Sequence, residues 1–223
     1  MTLRHETAVS VADWVVRADG PWPVLATQGP PGLDAYATVH FDGEDADPYR
    51  PDPDVVALVT RLAAEHTTTP ERCWFALWEG WGELEGGGRV YAEMDPHRLF
   101  GRLFRQPPPL EVAPAFDRPV LDAPRADLAG ERAYLLFTGT VADVGDWGAR
   151  PPRPGWPADL PQASFTWPAD HAWCIASDVD PAWFTVGGSR GLVDAVLAHP
   201  DLRAEPATHG SPPPSGDIST GPD

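Results

Sequence analysis

Lysine and asparagine are absent from this 223-residue sequence, so all 16 of its basic residues are arginine. Without lysine there is no Walker-type phosphate lysine, no Schiff-base lysine and no Ser-Lys dyad. Without asparagine there is no N-x-[ST] acceptor and no Cys-His-Asn triad. Basic charge is scarce altogether: 33 acidic residues against 16 arginines leave a formal net charge of −17. Phosphate backbones are bound mainly through cationic side chains, so a surface of this sign repels nucleic acid. Cysteine is limited to Cys73 and Cys174, each beside a tryptophan. Apolar flanks favour buried, unreactive thiols, and two cysteines do not make a disulfide scaffold. No uncharged apolar run reaches 18 residues, and the opening Met1–Glu6 has no apolar segment behind its charges. A cytoplasmic chain with no membrane association is the expectation.

Metal and cofactor motifs are missing too. There is no HExxH, no close histidine pair, too few cysteines for a four-thiolate zinc cage and nothing like the twelve-residue calcium loop, so no cofactor is expected. Asp178 and Asp180 offer at most a loop pair of carboxylates, and His40 with Asp42 a same-face pair on a strand.

What is present is aromatic and stiff. Ten tryptophans and eight phenylalanines argue for a packed core, while 28 prolines and 21 glycines argue for long, proline-stiffened connections. Residues 1–205 read as one globular domain, followed by a disordered Pro/Gly/Ser-rich tail over 206–223. Asp52-Pro53-Asp54 is a helix start, with Val55, Leu58, Val59 and Leu62 on one face and an end near His66. A shorter helix over Asp95–Phe104 and one over Arg190–His199, capped by Ser189 and stopped by Pro200, complete the well-marked set. Val9–Val16 reads as a helix, with a strand left open by its β-branched content.

Strands are expected at Ala35–Phe41, Cys73–Trp78, Arg89–Glu93, Ala133–Val141, His171–Ser177, Trp183–Val186 and Leu202–Glu205. The nearly continuous apolar run Cys73–Trp78 points to a strand covered on both faces. The fold class that follows is α+β, with a mixed or antiparallel twisted sheet and about three helices.

The richest local candidate is the loop after that run, where Glu79, Trp81 and Glu83 follow Trp78 among glycines. Flat rings beside two carboxylates suit the ring stacking and the general acid and base work of a sugar-handling site. Trp156-Pro157-Ala158-Asp159 and Trp167-Pro168-Ala169-Asp170 repeat one string, read as two turns sharing a local solution, and His171 follows the second. Gly187-Gly188-Ser189-Arg190 joins a strand to a helix and could expose main-chain N–H groups to a small anion. With Gly191 it also matches Gly-x-Ser-x-Gly. Only 34 residues follow Ser189, however, too few for the elements that normally carry the acid and histidine of an α/β-hydrolase. Arg98, Arg102 and Arg105 form a stripe suited to the chain's own surplus acids, and residues 42–54 carry six carboxylates.

Ten indoles exceed what a core of this size obviously needs, so some are expected at the surface beside negative charge. The favoured reading is a non-catalytic acidic binding protein that recognises a cationic protein or peptide. The sites assigned to it are Trp78, Glu79, Trp81, Glu83, Trp156, Trp167, Asp170 and His171. The alternative is a hydrolase-type enzyme or a carbohydrate or small-ligand binder that brings the 78–83 loop together with Asp170 and His171.

Overall fold

The computed structural model describes residues 2–41, 50–86, 89–90, 110–153 and 155–211. In chain order the strands are β1 (Arg4–Glu6), β2 (Ala35–His40), β3 (Cys73–Trp78), β4 (Arg89–Val90), β5 (Leu110–Glu111), β6 (Ala126–Leu128), β7 (Arg132–Gly139), β8 (Phe165–Pro168), β9 (Cys174–Ala176), β10 (Trp183–Gly188) and β11 (Arg203–Ala207). The helices are α1 (Asp13–Val16), α2 (Trp22–Gln28), α3 (Pro53–Ala64), α4 (Gly82–Glu85), α5 (Arg118–Leu121) and α6 (Arg190–Ala198).

Nine strands form one open sheet in the order β1-β7-β3-β8-β9-β10-β2-β11, with β6 beside β1 on the flank of β7, while β4 and β5 make a separate ribbon. The α+β class holds, and of the mixed or antiparallel sheet expected the antiparallel form is found: every pairing among the described residues is antiparallel. The helix count needs correction. The described residues hold six α-helices rather than about three. Three of the six are single turns of four residues, too short to display a 3.6-residue repeat. The seven-residue α2 hides behind two prolines, with Pro21 at its cap and Pro23 in its first turn.

Both faces of the sheet are covered, and this explains the composition of β3. Cys73, Phe75 and Leu77 enter one core, under α3 and α6, while Trp74 and Ala76 enter a second, under α1 and α2. Strand residues alternate between faces, so a strand with a core on each side has no place for polar residues. Two cores also absorb more rings than one. Trp147 and Trp173 fill the first, Trp74 and Trp167 the second, and each buried ring contributes about 1.5–3 kcal/mol.

The marked helix starts behave as their chemistry requires. The Asp52 side chain accepts from Asp54 N–H at 2.8 Å with Pro53 in the first turn, and Ser189 Oγ accepts from Leu192 N–H at 3.3 Å. The buried face of α3 is Val56, Val59, Thr60 and Ala63, turned by about one residue from the expected stripe, and Val55, Leu58 and Leu62 are half-buried. Residue 206, where the tail was expected to begin, lies within β11, an edge strand that tolerates Pro206. Beyond it, Gln28 Nε2 donates to Ser211 O at 2.8 Å and Gly210 N–H donates to Gln28 Oε1 at 2.7 Å. Residues 212–223, the helix at Asp95–Phe104 with its arginine stripe, and most of the acidic run at 42–54 lie outside the described residues.

Candidate functional site

The two ends of β3 carry most of the candidate residues. At its C-terminal end Trp78 folds over the following turn so closely that a Cβ on Gly80 would sit 2.2 Å from the ring. Only glycine fits there. Glu79 and Glu83 precede and follow Trp81 in the chain, and each is taken by a guanidinium: Arg125 Nε donates to Glu79 at 2.9 Å, and Arg50 pairs with Glu83. Arg125 is held further by the carbonyl oxygens of Ala123 and Leu121.

The indoles at this end are occupied in the same way. Arg132 lies 5.0 Å from the Trp78 ring and 5.1 Å from the Trp22 ring, placing one guanidinium against two indoles. Its Nε and Nη2 donate to the two carboxylate oxygens of Asp178 at 3.2 and 3.3 Å, and Asp180 stands 3.9 Å away. Burial works against the Arg132 charge, but the Asp178 bonds and charge outweigh it, so its pKa is raised. Trp78 meets Trp81 edge to face at 5.7 Å, and Arg50 covers Trp81 at 5.3 Å. Arg50 also reaches Asp159 at 3.8 Å, which brings the loop bearing Trp156 to the same rim. Trp156, under Arg153 at 4.8 Å, is 56% exposed. A ladder of indoles and guanidiniums thus runs from Trp22 through Arg132, Trp78 and Trp81 to Arg50, and ends at Asp159 of the Trp156 loop.

The other end of β3 is built from neutral donors. Asp170 accepts from the Thr67 and Thr68 hydroxyls at 2.8 Å each, from Thr68 N–H at 2.7 Å and from Ala172 N–H at 3.2 Å. Burial alone would raise its pKa, but these bonds hold it down at about 2. His171, with φ at 55°, lies flat on Trp14 at 4.2 Å, and burial lowers its pKa against the opposing pull of Asp170. Cys73 pairs with Pro168 in the sheet, so Asp170 belongs to the Cys73 end, and the rise of β3 separates it from the Glu79 loop by about 17 Å. The structure therefore brings Trp78, Glu79, Trp81 and Glu83 together, places Asp159 of the Trp156 loop against their Arg50, and sets Asp170 and His171 apart from them. Trp167 is fully buried and stacks on Trp74 at 6.0 Å. The two repeated strings thus adopt different environments, because Trp167 lies in β8 between two strands whereas Trp156 lies in a loop.

In the Gly187–Arg190 segment the glycines answer to packing. A Cβ on Gly187 would meet the Tyr36 ring at 2.6 Å, and one on Gly188 would meet Leu192 at 2.8 Å. Ser189 has ordinary extended angles, φ −61° and ψ 152°, rather than the strained turn of a nucleophile elbow. Its Oγ lies 3.3 Å from His66 Nδ1, a partner 123 residues away that no local motif announces. Both thiols are free and buried, and burial pushes Cys73 up to about 12. No cluster of three or more metal-ligating side chains occurs among the described residues. None of their helices is long and apolar enough to cross a membrane.

Arg50, Arg125, Arg132, Asp159 and Asp178 complete the rim and were not singled out by sequence as its members. The available signal was the absence of lysine: arginine is the cation that stacks on indoles and forks onto carboxylates. Comparison with known proteins gives no match to a family model, to a curated protein or to a solved structure.

Proposed function

We propose that this protein is a non-catalytic acidic binding protein that recognises a cationic protein or peptide at the rim beyond β3. The observation that carries the reading is Trp156, the exposed large hydrophobic residue among those described, in the same loop as Asp159, whose side chain is 82% exposed. The rim already binds guanidiniums with indoles and carboxylates inside the chain, so its chemistry suits arginine from a partner. The net charge of −17 adds long-range steering toward such a partner.

The test uses a nona-arginine peptide as probe and follows association from about 50 to 500 mM salt. Rates should fall steeply with salt, and Trp156→Ala should weaken affinity by about tenfold or more. Rates independent of salt, or a W156A variant that binds unchanged, would overturn the proposal.

A further inference from the structure

The two guanidiniums of the ladder are held at different depths. Arg132 belongs to β7, and its fork closes on the mostly buried carboxylate of Asp178. Its departure would leave that carboxylate unpaired in the interior, so it is a fixed part of the fold. Arg50 stands ahead of α3, in no helix or strand, with its side chain 26% exposed. Its carboxylate partners lie further out, Glu83 at 40% and Asp159 more exposed still. Ion pairs at that exposure are weak, because water replaces either partner at little cost.

The place that Arg50 fills has the form of a guanidinium receptor. The Trp81 ring lies 5.3 Å from the guanidinium carbon, Glu83 pairs with Nη2, and Asp159 stands 3.8 Å from Nη1. A ring for the cation's face and carboxylates for its N–H edge are the contacts that suit arginine better than lysine. These groups are positioned without Arg50. Trp81 packs edge to face on Trp78, and it caps α4, whose buried Leu84 accepts from Ala115 N–H at 3.1 Å. No other guanidinium among the described residues pairs with Glu83 or Asp159. When Arg50 swings out, two carboxylates therefore face an empty place, one of them in the loop that carries the exposed Trp156.

We infer that Arg50 occupies in cis the place of a partner's arginine, and that a cationic partner binds by displacing it. The inference rests on the proposed recognition of a cationic partner and adds its regulation. A tethered side chain competes at high effective concentration, so only a partner that brings several contacts at once takes the place from Arg50. Occupancy in cis lowers the apparent affinity by the fraction of chains that are open.

Nona-arginine, titrated by calorimetry into the parent chain, Arg50→Ala and Arg61→Ala, tests this. Arg61 is exposed in the last turn of α3, so R61A removes the same charge away from the rim. R50A should bind about tenfold or more tighter than the parent, and R61A within about twofold of it. The double variant R50A/E83Q should lose most of that gain. Nona-lysine carries the charge without the fork and should gain about threefold or less from R50A. On the unaltered chain, saturating nona-arginine should shift the Arg50 Nε–H resonance and quicken its exchange with water while leaving that of Arg132 in place, which decides the matter if R50A fails to fold. An R50A affinity equal to or below the parent's, an equal gain in R61A, a gain that survives E83Q, an equal gain for nona-lysine, or an unmoved Arg50 resonance each overturns the inference. If W156A weakens nona-arginine while R50A leaves it unchanged, recognition stands and displacement fails. If W156A binds unchanged while R50A gains, the Trp156 reading fails and the Arg50 site stands.

Discussion

At the Cys73 end of β3 a single carboxylate, Asp170, is saturated by hydroxyl and amide donors from one neighbouring turn and its own. At the Trp78 end, five residues on, carboxylates and indoles are held by guanidiniums drawn from Arg50, Arg125 and Arg132. The first arrangement is closed: its donors are neutral, local and matched to the acceptor. The second is exchangeable in kind, because a guanidinium from another chain offers the same chemistry as the one already in place. Salt should therefore loosen the charged end of the strand and leave the neutral one alone.

The largest effect should come from Arg132→Ala. The Arg132 side chain is 17% exposed and that of Asp178 only 9%, so the change leaves a mostly buried carboxylate without its fork and two indoles without their cation. Breaking such a pair costs about 2–4 kcal/mol, measurable by chemical denaturation. Arg132→Lys keeps the charge but not the fork and should recover less than half of the loss. If R132A is as stable as the parent, the ladder is decoration and the contrast between the two ends collapses.

Asp170→Ala should cost less, about 1–2 kcal/mol, because its donors can turn to water at this exposed turn. The loss should be the same at 50 and 500 mM salt. The folded pKa near 2 lies below the unfolded value of about 3.9, so the carboxylate's contribution is complete above roughly pH 4 and disappears as pH falls toward 2. Asp170→Asn should remove that slope. His171 acts in a higher window with its own sign: burial lowers its folded pKa, so the unfolded chain binds more protons and stability falls as pH drops through about 6.5. His5, lowered by burial and by Arg125, adds to the same decline, so His171→Gln should reduce it without abolishing it. A parent protein whose stability is flat from pH 7.5 to 5.5 would contradict the neutral stacked state assigned to His171.

What could be read from the residues was whatever they settle locally. Cys73–Trp78 is a strand with the bounds its apolar run implied, and α3 and α6 begin at the Asp52 and Ser189 caps. A cap or a continuous apolar run completes its signal within a few residues. The guanidinium between Trp22 and Trp78 joins three segments spread over more than a hundred positions, and the Ser189–His66 contact spans 123, so neither leaves a periodic trace. A sheet covered on both faces has two cores, so it takes in more indoles than one core would, and of the ten tryptophans only Trp156 is in the exposed class. Strands of three residues such as β1 and β6 are fixed by their long partner β7 rather than by propensity of their own.

The smallest expected effect sharpens the contrast, because it alters the Trp78 end without touching its charges. The turn between β6 and β7 is closed by Glu131 N–H donating to Leu128 O at 3.0 Å, and both central residues have positive φ, 57° at Ala129 and 77° at Gly130. That pattern belongs to a type I′ turn, which favours glycine or asparagine at both positions, and this chain contains no asparagine to place there. Alanine in the left-handed region costs about 1 kcal/mol, and Ala129→Gly relieves it while freeing the unfolded chain by nearly as much. The net gain should be about 0.5 kcal/mol or less, a rise of roughly 1–2 °C in Tm. Ala129→Asn, which tolerates the same φ with less added freedom, should gain slightly more. Because neither change alters an ion pair, both shifts should be equal at low and high salt, whereas the cost of R132A should shrink as salt rises. A shift at Ala129 that tracked salt would mean that the turn and the ladder are one coupled unit, and the division between a neutral and a charged end of β3 would have to be redrawn around the β6–β7 hairpin.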